Sequence, residues 1–321
     1  MNFVAIGRGE ILYAATKLLT EQGHNLVSIV TDTAAPEYRI SIQDFKELAR
    51  VNSVPILVSS RREQITIFLQ QFEEIDIGIS VNHRNILSAD VLQQFKLGVL
   101  NLHGGDLPRF KGNACQAWAI INGEERIGAC VYRMEPNILD NGKIMSRRYL
   151  EINQNTKIQE CLSWLETNGP DMFAESLNKL SINSNYFIED TATSSVVNLR
   201  CHERRPEDGY IDWNLEPDEV IRLVNASGHP YFGAFSFLEG ELVNILDVAL
   251  VSIVEPYLAI PGQIVNVCDD YVLVACGEIS KKGLAQKSIL ISEIKFRGQI
   301  VKASTILRST RMRLGSKDRL L

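Results

Sequence analysis

An asparagine and a histidine two positions apart, Asn101 and His103, close the short apolar run that begins at Gly98. Side chains two apart on a strand share a face, so a strand that persists to His103 presents an amide beside an imidazole. The chain then passes Gly104, Gly105, Pro108 and Gly112, whose glycines let backbone approach a ligand closely. A second loop, residues 135–142, joins two strand-like segments and carries a carboxylate at Asp140. An amide, an imidazole and a carboxylate at the ends of strands in an open sheet could form a polar ligand site, or could be structural. By themselves they name no reaction.

Other candidate constellations are weaker. Gly7-Arg8-Gly9 follows the first apolar run, but the third glycine of a dinucleotide fingerprint is replaced by Leu12. It reads as a tight turn into a helix whose N-terminus could still face an anion. No phosphate-binding loop with Lys-Ser/Thr, no His-Glu-x-x-His and no Gly-x-Ser-x-Gly occurs. The six cysteines, at 115, 130, 161, 201, 268 and 276, form no Cys-x-x-Cys pair. They read as reduced thiols, metal binding is not expected, and Cys201-His202 reads as structural.

The elements that must position these groups are legible as alternating periods. Apolar runs at Phe3–Ile6, Leu26–Val30, Pro55–Val58, Ile75–Val81 and Gly98–Leu102 read as strands. Between them lie helical stripes: Ile11, Leu12, Ala15, Leu18, Leu19; then Ile42, Phe45, Leu48, Ala49 behind Ser41; then Ile65, Phe68, Leu69, Phe72; and a short helix behind Ser88. Strands alternating with helices predict a Rossmann-like, mostly parallel twisted sheet of the α/β class, with ligands at the strands' carboxyl ends. A helix through Ala117–Ile121, strands over 126–134 and 142–151, and a helix over 157–182 interrupted at Gly169-Pro170 complete this half. Beyond about residue 200 the texture changes to one helix near Pro217 and short strands over 234–238, 241–251, 262–267, 271–276 and 287–295. That pattern predicts a small, mainly-β, OB-like barrel. The expected domains are 1–198 and 199–321.

The 321 residues, 45% apolar and 22% charged, are ordinary for a globular protein and exclude disorder. No apolar run approaches the roughly 20 residues of a membrane helix. The opening MNFVAIG lacks the features of a signal peptide, so a cytoplasmic protein with no membrane partner is expected.

The segment NLHGGDLPRFKGNACQAWAIINGEERIGACVYRM, followed by LDNGKI, resembles the catalytic core of the formyltransferases that use 10-formyltetrahydrofolate. That family's hallmark is Asn-x-His, then Leu-Pro-x-x-x-Gly, then an Asp-x-Gly loop, here Asn101, His103, Leu107-Pro108, Gly112 and Asp140-Asn141-Gly142. The stretch from Arg204 to Ser236 resembles the C-terminal domain shared by methionyl-tRNA formyltransferase and the transformylase acting on UDP-4-amino-4-deoxy-arabinose. The resemblance implies that an amine attacks the formyl carbon of the folate. It assigns Asn101 to the developing oxyanion, His103 to general acid and base, and Asp140 to His103. By position it assigns the folate to Asn85-Ile86-Leu87, Asn113 and the loop Pro136, Asn137, Ile138, Leu139. It also implies no metal, and a homodimer is frequent among the sugar enzymes.

Two departures stand in the motif. Relatives usually carry serine and leucine where this chain has Gly105 and Asp106, and proline where it has Cys115. Asp106 places a carboxylate near the expected amine entry, where it would position a cationic amino sugar. Arg8, Lys111, Arg204 and Arg205 are candidates for a diphosphate.

Charge weighs on the choice of amine. Residues 281–321 hold 11 Lys and Arg against Glu293 and Asp318, a net of +9, so the rest of the chain carries −15 of the overall −6. The tRNA enzymes carry a basic insertion after the second strand; here residues 31–38, TDTAAPEY, are short and not basic. This favours a UDP- or dTDP-linked amino-deoxy sugar, destined for a surface glycan, over tRNA or another nucleic acid. The basic C-terminus is the contrary feature, and methionyl-tRNA is the alternative amine. A folate-binding protein with a dead site is the non-enzymatic reading, which the intact trio opposes.

Overall fold

The computed structural model describes residues 1–251, 257–278, 287–315 and 317. The chain forms two compact units. One gathers Met1–Cys115, Ile127–Leu150 and Leu162–His202, the other Gln116–Arg126, Glu151–Cys161 and the described residues of Glu203–Leu321.

In chain order the first elements are β1 (Asn2–Gly7), α1 (Gly9–Glu21), β2 (Asn25–Thr31), α2 (Ile42–Val51), β3 (Ile56–Val58), α3 (Arg62–Leu69), β4 (Ile77–Val81), α4 (Ala89–Leu92) and β5 (Val99–His103). There follow β6 (Phe110–Gly112), α5 (Cys115–Ile121), β7 (Arg126–Met134), β8 (Gly142–Glu151), α6 (Ile158–Ile182), β9 (Glu189–Asp190) and β10 (Leu199–Cys201). An eight-stranded sheet runs in the order β3-β2-β1-β4-β5-β7-β8-β9, and β6 pairs with β10 apart from it. Strands β3 through β5 are parallel, and β7 joins β5 antiparallel. Both faces of β1 are buried: Phe3 and Ala5 pack into one core cluster, Val4 and Ile6 into another. This two-sided burial is why the strands read as unbroken apolar runs. Helix α2 starts as the sequence predicts, with the Ser41 backbone N–H donating to Asp44 Oδ2 at 2.7 Å.

Helix α6 departs from expectation, running unbroken through Gly169-Pro170. Proline inside a helix costs about 3 kcal/mol. Here Met172, Phe173 and Leu177 are fully buried just beyond it, and burying each such side chain contributes roughly 1.5–3 kcal/mol. Gly169 lets the helix lie close, since a Cβ there would fall 2.6 Å from Ile11 and 2.8 Å from Leu102. Packing therefore outweighs the local breaker.

The second unit contains α7 (Pro217–Ser227), β11 (Ala234–Leu238), β12 (Glu241–Leu250), β13 (Ile264–Val267), β14 (Val272–Cys276), β15 (Lys287–Phe296), β16 (Gln299–Lys302), α8 (Ala303–Ile306) and β17 (Leu314–Gly315). Its antiparallel sheet follows β13-β14-β15-β12-β11-β17, with β16 on β15. A bridge between Gln263 and Arg313, and the Leu314 N–H donating to Gly262 O at 2.8 Å, draw the ends of that order together. The sheet thus curls around Trp213, Val220, Val243, Ile289 and Ile291, as a small barrel does. The expected fold class is the observed one. Lys281, Lys282 and Arg319, part of the basic C-terminal segment, lie outside the described residues.

Candidate active site

Strand β5 persists through His103, one residue further than its apolar run, so Asn101 and His103 share a face at its carboxyl end. Asn101 pairs across the sheet with Ser80 on β4 and Tyr132 on β7. Its Nδ2 makes only long contacts, 3.3 Å to Leu102 O and 3.5 Å to Tyr132 Oη. The amide is therefore held in place with donor capacity to spare.

His103 is 8% exposed. Its Nε2 lies 2.8 Å from Phe110 O, an acceptor, which assigns a proton to Nε2. Nδ1, the other nitrogen, faces Asp140 Oδ1 at 3.6 Å. Gly105 makes the ring's position available, because a Cβ there would stand 2.6 Å from Nε2 and 2.5 Å from Phe110 O.

Asp140 is 4% exposed, and two donors hold it. The Gly112 N–H donates to Oδ2 at 2.7 Å and the Tyr132 hydroxyl to Oδ1 at 3.0 Å. Burial pushes the Tyr132 phenol well above its ordinary value, so this hydroxyl stays protonated as a donor. The Asp140 backbone is left-handed, φ 49°. For a non-glycine residue that costs of order 1 kcal/mol, a local strain where the carboxylate must be aimed inward. Gly142, φ 142°, completes the turn, since a Cβ there would meet Arg133 O at 1.9 Å. The geometry brings an amide and an imidazole from the end of β5 and a carboxylate from the loop between β7 and β8 to one place, with Tyr132 bridging Asn101 and Asp140. The sequence reading missed Tyr132, whose only signal was its place across from Asn101 in the sheet.

The other nominated residues are distributed as follows. Asn85 Nδ2 donates to Ser60 O at 2.9 Å, Ile86 is 41% exposed, and Leu87 is a core residue at 1%. Pro136, Asn137 and Ile138 are exposed, Leu139 is half-buried, and Asn113 is exposed with its N–H on Cys201 O. Asp106 accepts from the Tyr149 hydroxyl at 3.2 Å and lies 3.5 Å from Arg147, which also pairs with Glu189 at 2.7 Å. Lys111 Nζ donates to Asn141 Oδ1 at 3.3 Å. Arg8 gives its donors to Asn82 O and Thr33 O and lies 3.5 Å from Asp32. In the second unit, Arg204 donates to Ala226 O, Asp208 O and Ser227 Oγ, and its guanidinium lies 5.9 Å from the Trp118 ring. Arg205 is exposed.

A cavity of about 330 Å³ opens at the carboxyl ends of the parallel strands, lined by Asp32, Thr33, Val58, Ser59, Ser60, Arg61, Gln64 and Arg84. It adjoins the Asn85 loop through Arg84. Arg61 and Arg84 went unremarked in the sequence reading. Both follow the ends of parallel strands, β3 and β4, which was the available signal. Among the described residues no group of three or more His, Cys, Asp or Glu could hold a metal ion, and no helix is long and apolar enough to cross a membrane.

A Rossmann-like sheet with Asn101 and His103 at the end of β5, and Asp140 beside them from the loop between β7 and β8, has the groups an α/β enzyme needs for proton transfer beside a hydrogen-bond donor. Comparison with known proteins narrows the class. Residues 1–177 match the formyl transferase family and residues 204–311 match the formyl transferase C-terminal domain. The chain belongs to the formyl transferase family and is a formyltransferase. It is 26% identical to a methionyl-tRNA formyltransferase of Ruminiclostridium cellulolyticum over 99% of each chain. It is 29% identical to the bifunctional polymyxin resistance protein ArnA of Wigglesworthia glossinidia brevipalpis, over 76% of this chain and 37% of that protein. Among solved structures, WlaRD, a sugar 3N-formyl transferase crystallised in the presence of dTDP and 5-N-formyl-THF, superposes with a TM-score of 0.64 at 14% identity, covering 91% of this chain and 97% of that one. HypX from Aquifex aeolicus superposes with a TM-score of 0.60 at 15% identity, over 96% of this chain but only 46% of that longer one.

Proposed function

We propose that this formyltransferase moves the formyl group of 10-formyltetrahydrofolate onto the amine of a UDP- or dTDP-linked amino-deoxy sugar. The observation that carries the chemistry is the His103–Asp140 pair standing beside the under-used Asn101 amide. The substrate amine attacks the formyl carbon. The Asn101 Nδ2–H donates to the oxyanion as charge develops, a contribution worth roughly 100- to 1000-fold in rate. His103 takes the amine's proton at Nδ1 and delivers it to the departing folate nitrogen. Asp140, fixed by Gly112 and Tyr132, stabilises the imidazolium between those steps.

The catalytic domain is taken as 1–198 and the OB-like domain as 199–321. The folate's pterin is assigned to the Asn85-Ile86-Leu87 loop, Asn113 and Pro136 to Leu139. The cavity beyond supports an extension of that assignment. Arg61 and Arg84 line it and have no carboxylate partner among the described residues, which suits the anionic glutamate tail of a folate. Within the first unit the diphosphate is assigned to Arg8 and Lys111.

The sugar reading rests on charge: −15 outside the basic segment, and a neutral-to-acidic stretch where a polyanion would need cations. Methionyl-tRNA is the second reading, favoured by the full-length match to the Ruminiclostridium enzyme. One assay of the two acceptors separates them. Purified protein with 10-formyltetrahydrofolate is offered UDP- and dTDP-linked 4-amino-4-deoxy sugars and, separately, charged initiator tRNA. Gain of one CO on the sugar is the expected result. Formylation of the tRNA alone overturns the sugar reading. A thermal-shift series with UDP, dTDP and tRNA reports the same preference through binding.

A further inference from the structure

Two of the six cysteines meet beside the candidate catalytic histidine. Cys201 ends β10, which runs parallel to β6 with Cys201 opposite Gly112. That pairing is close because residue 112 has no side chain: a Cβ there would lie 2.2 Å from Cys201 O. Three residues on, Cys115 opens α5, and its Sγ turns back to 3.6 Å from Gly112 O and 3.7 Å from Phe110 O. The turn brings the Cys115 side chain toward Cys201, near enough for the two thiols to influence each other. The same Cys115 Sγ lies 3.6 Å from His103 Nε2. Both cysteines are buried, so only a small reagent reaches them.

We infer that Cys115 and Cys201 form an oxidative modification site, a dithiol that a peroxide-class oxidant closes into a disulfide, disabling the His103 centre. Cys201 reacts first: the interaction between the two side chains holds its thiol below the ordinary value, and the same interaction with burial pushes Cys115 up. The Cys201 sulfur attacks one oxygen of hydrogen peroxide. An S–O bond forms, the O–O bond breaks, and the second oxygen leaves as water with the Cys201 proton. The Cys115 sulfur then attacks the sulfenic sulfur. The S–S bond forms, the S–O bond breaks, and a second water leaves with the Cys115 proton. Two electrons pass from the thiols to the peroxide, and a reducing dithiol reverses the change.

The consequence for the site follows from what the same segment holds. Phe110 O fixes His103 Nε2, and the Gly112 N–H fixes Asp140 Oδ2. Drawing the Cys115 sulfur onto Cys201 moves it from His103 and strains the segment between Phe110 and Cys115. A displacement near 1 Å there lowers kcat by about 100-fold.

The test treats the full-length protein with hydrogen peroxide, blocks remaining thiols by alkylation and digests it with trypsin without reductant. The expected product joins peptide Gly112–Arg126 to peptide Cys201–Arg204, accompanied by loss of formyl transfer, with dithiothreitol restoring both. Cys201→Ser, outside the catalytic machinery, is expected to keep the parent's rate and to resist peroxide. Peptides that stay unlinked, or a link that leaves turnover intact, overturn the proposal. The effect on turnover rests on the formyl-transfer reading. Mapping the link does not and needs no variant, so untreated protein that transfers nothing refutes that reading, and an absent link refutes this one.

Discussion

Adding one methyl group at Gly105 is expected to cripple turnover while leaving the fold in place. The alanine Cβ would stand 2.5 Å from Phe110 O and 2.6 Å from His103 Nε2, where ordinary contact begins at 3.4 Å. It is thus about 0.9 Å too close to both. Phe110 cannot yield easily, because β6 is paired to β10 and the Phe110 N–H is bonded to Asp106 O at 3.0 Å. The imidazole is the movable party, and moving it breaks its 2.8 Å bond to Phe110 O. A misplacement near 1 Å predicts a loss of about 100-fold in kcat, or about 2.7 kcal/mol of transition-state stabilisation. Overpacking would cost a further ~1–3 kcal/mol of stability, a few degrees in Tm. The assay is kcat at saturating donor and amine, with Tm measured on the same samples. A Gly105→Ala protein of normal Tm and a kcat within about threefold of the parent would refute the placement of the ring or its importance.

Replacing Asn101 by alanine is expected to lower kcat by roughly 100- to 1000-fold, and the His103→Gln, Asp140→Asn double variant should be little worse than either single one if the pair acts as a unit. Tyr132→Phe removes one of the two donors on Asp140 and should cost about 1–3 kcal/mol, read as slower turnover and lower Tm together; unchanged values would show that Gly112 suffices. Burial holds His83 below its ordinary 6.5, and His24 is lowered by burial and by the nearby N-terminus. A histidine kept neutral in the fold contributes stability that is complete above pH 6.5 and is lost as acidity rises toward the folded value, so Tm should fall from pH 7 to pH 5. His83→Asn should flatten that limb, and a parallel curve for the variant would clear His83 of the effect. Arg61→Ala and Arg84→Ala should raise KM for a polyglutamylated formyl donor without lowering kcat, whereas equal effects with a donor lacking glutamate would place the tail elsewhere.

Much of the first unit was legible because its signals are local. Ser41 with Asp44 marked the start of a helix, and strands buried on both faces left apolar runs that no solvent-facing residue interrupts. The segment around Asn101, His103 and Asp140 was legible through its resemblance to the formyltransferase core, because residue types alone named no reaction there. The break predicted at Gly169-Pro170 failed because burial of Met172, Phe173 and Leu177 decides that helix, and a local propensity cannot register what packs against it. Strand β10 was invisible, being three residues long and paired to a strand some ninety positions earlier.

The amino-acid order alone determined the alternation of strands and helices, the acidic balance outside the C-terminal segment, and which residues are candidates for proton handling, because period, charge and side-chain chemistry are written residue by residue. Tertiary structure alone decided that Tyr132 and Gly112 hold Asp140, that Gly105 makes room for the imidazole, that Arg61 and Arg84 share a cavity, and that Cys115 meets Cys201 beside His103. Each of these is a contact between segments distant along the chain. Such contacts depend on which strands become neighbours in the sheet and in what register, and no short window of residues specifies that.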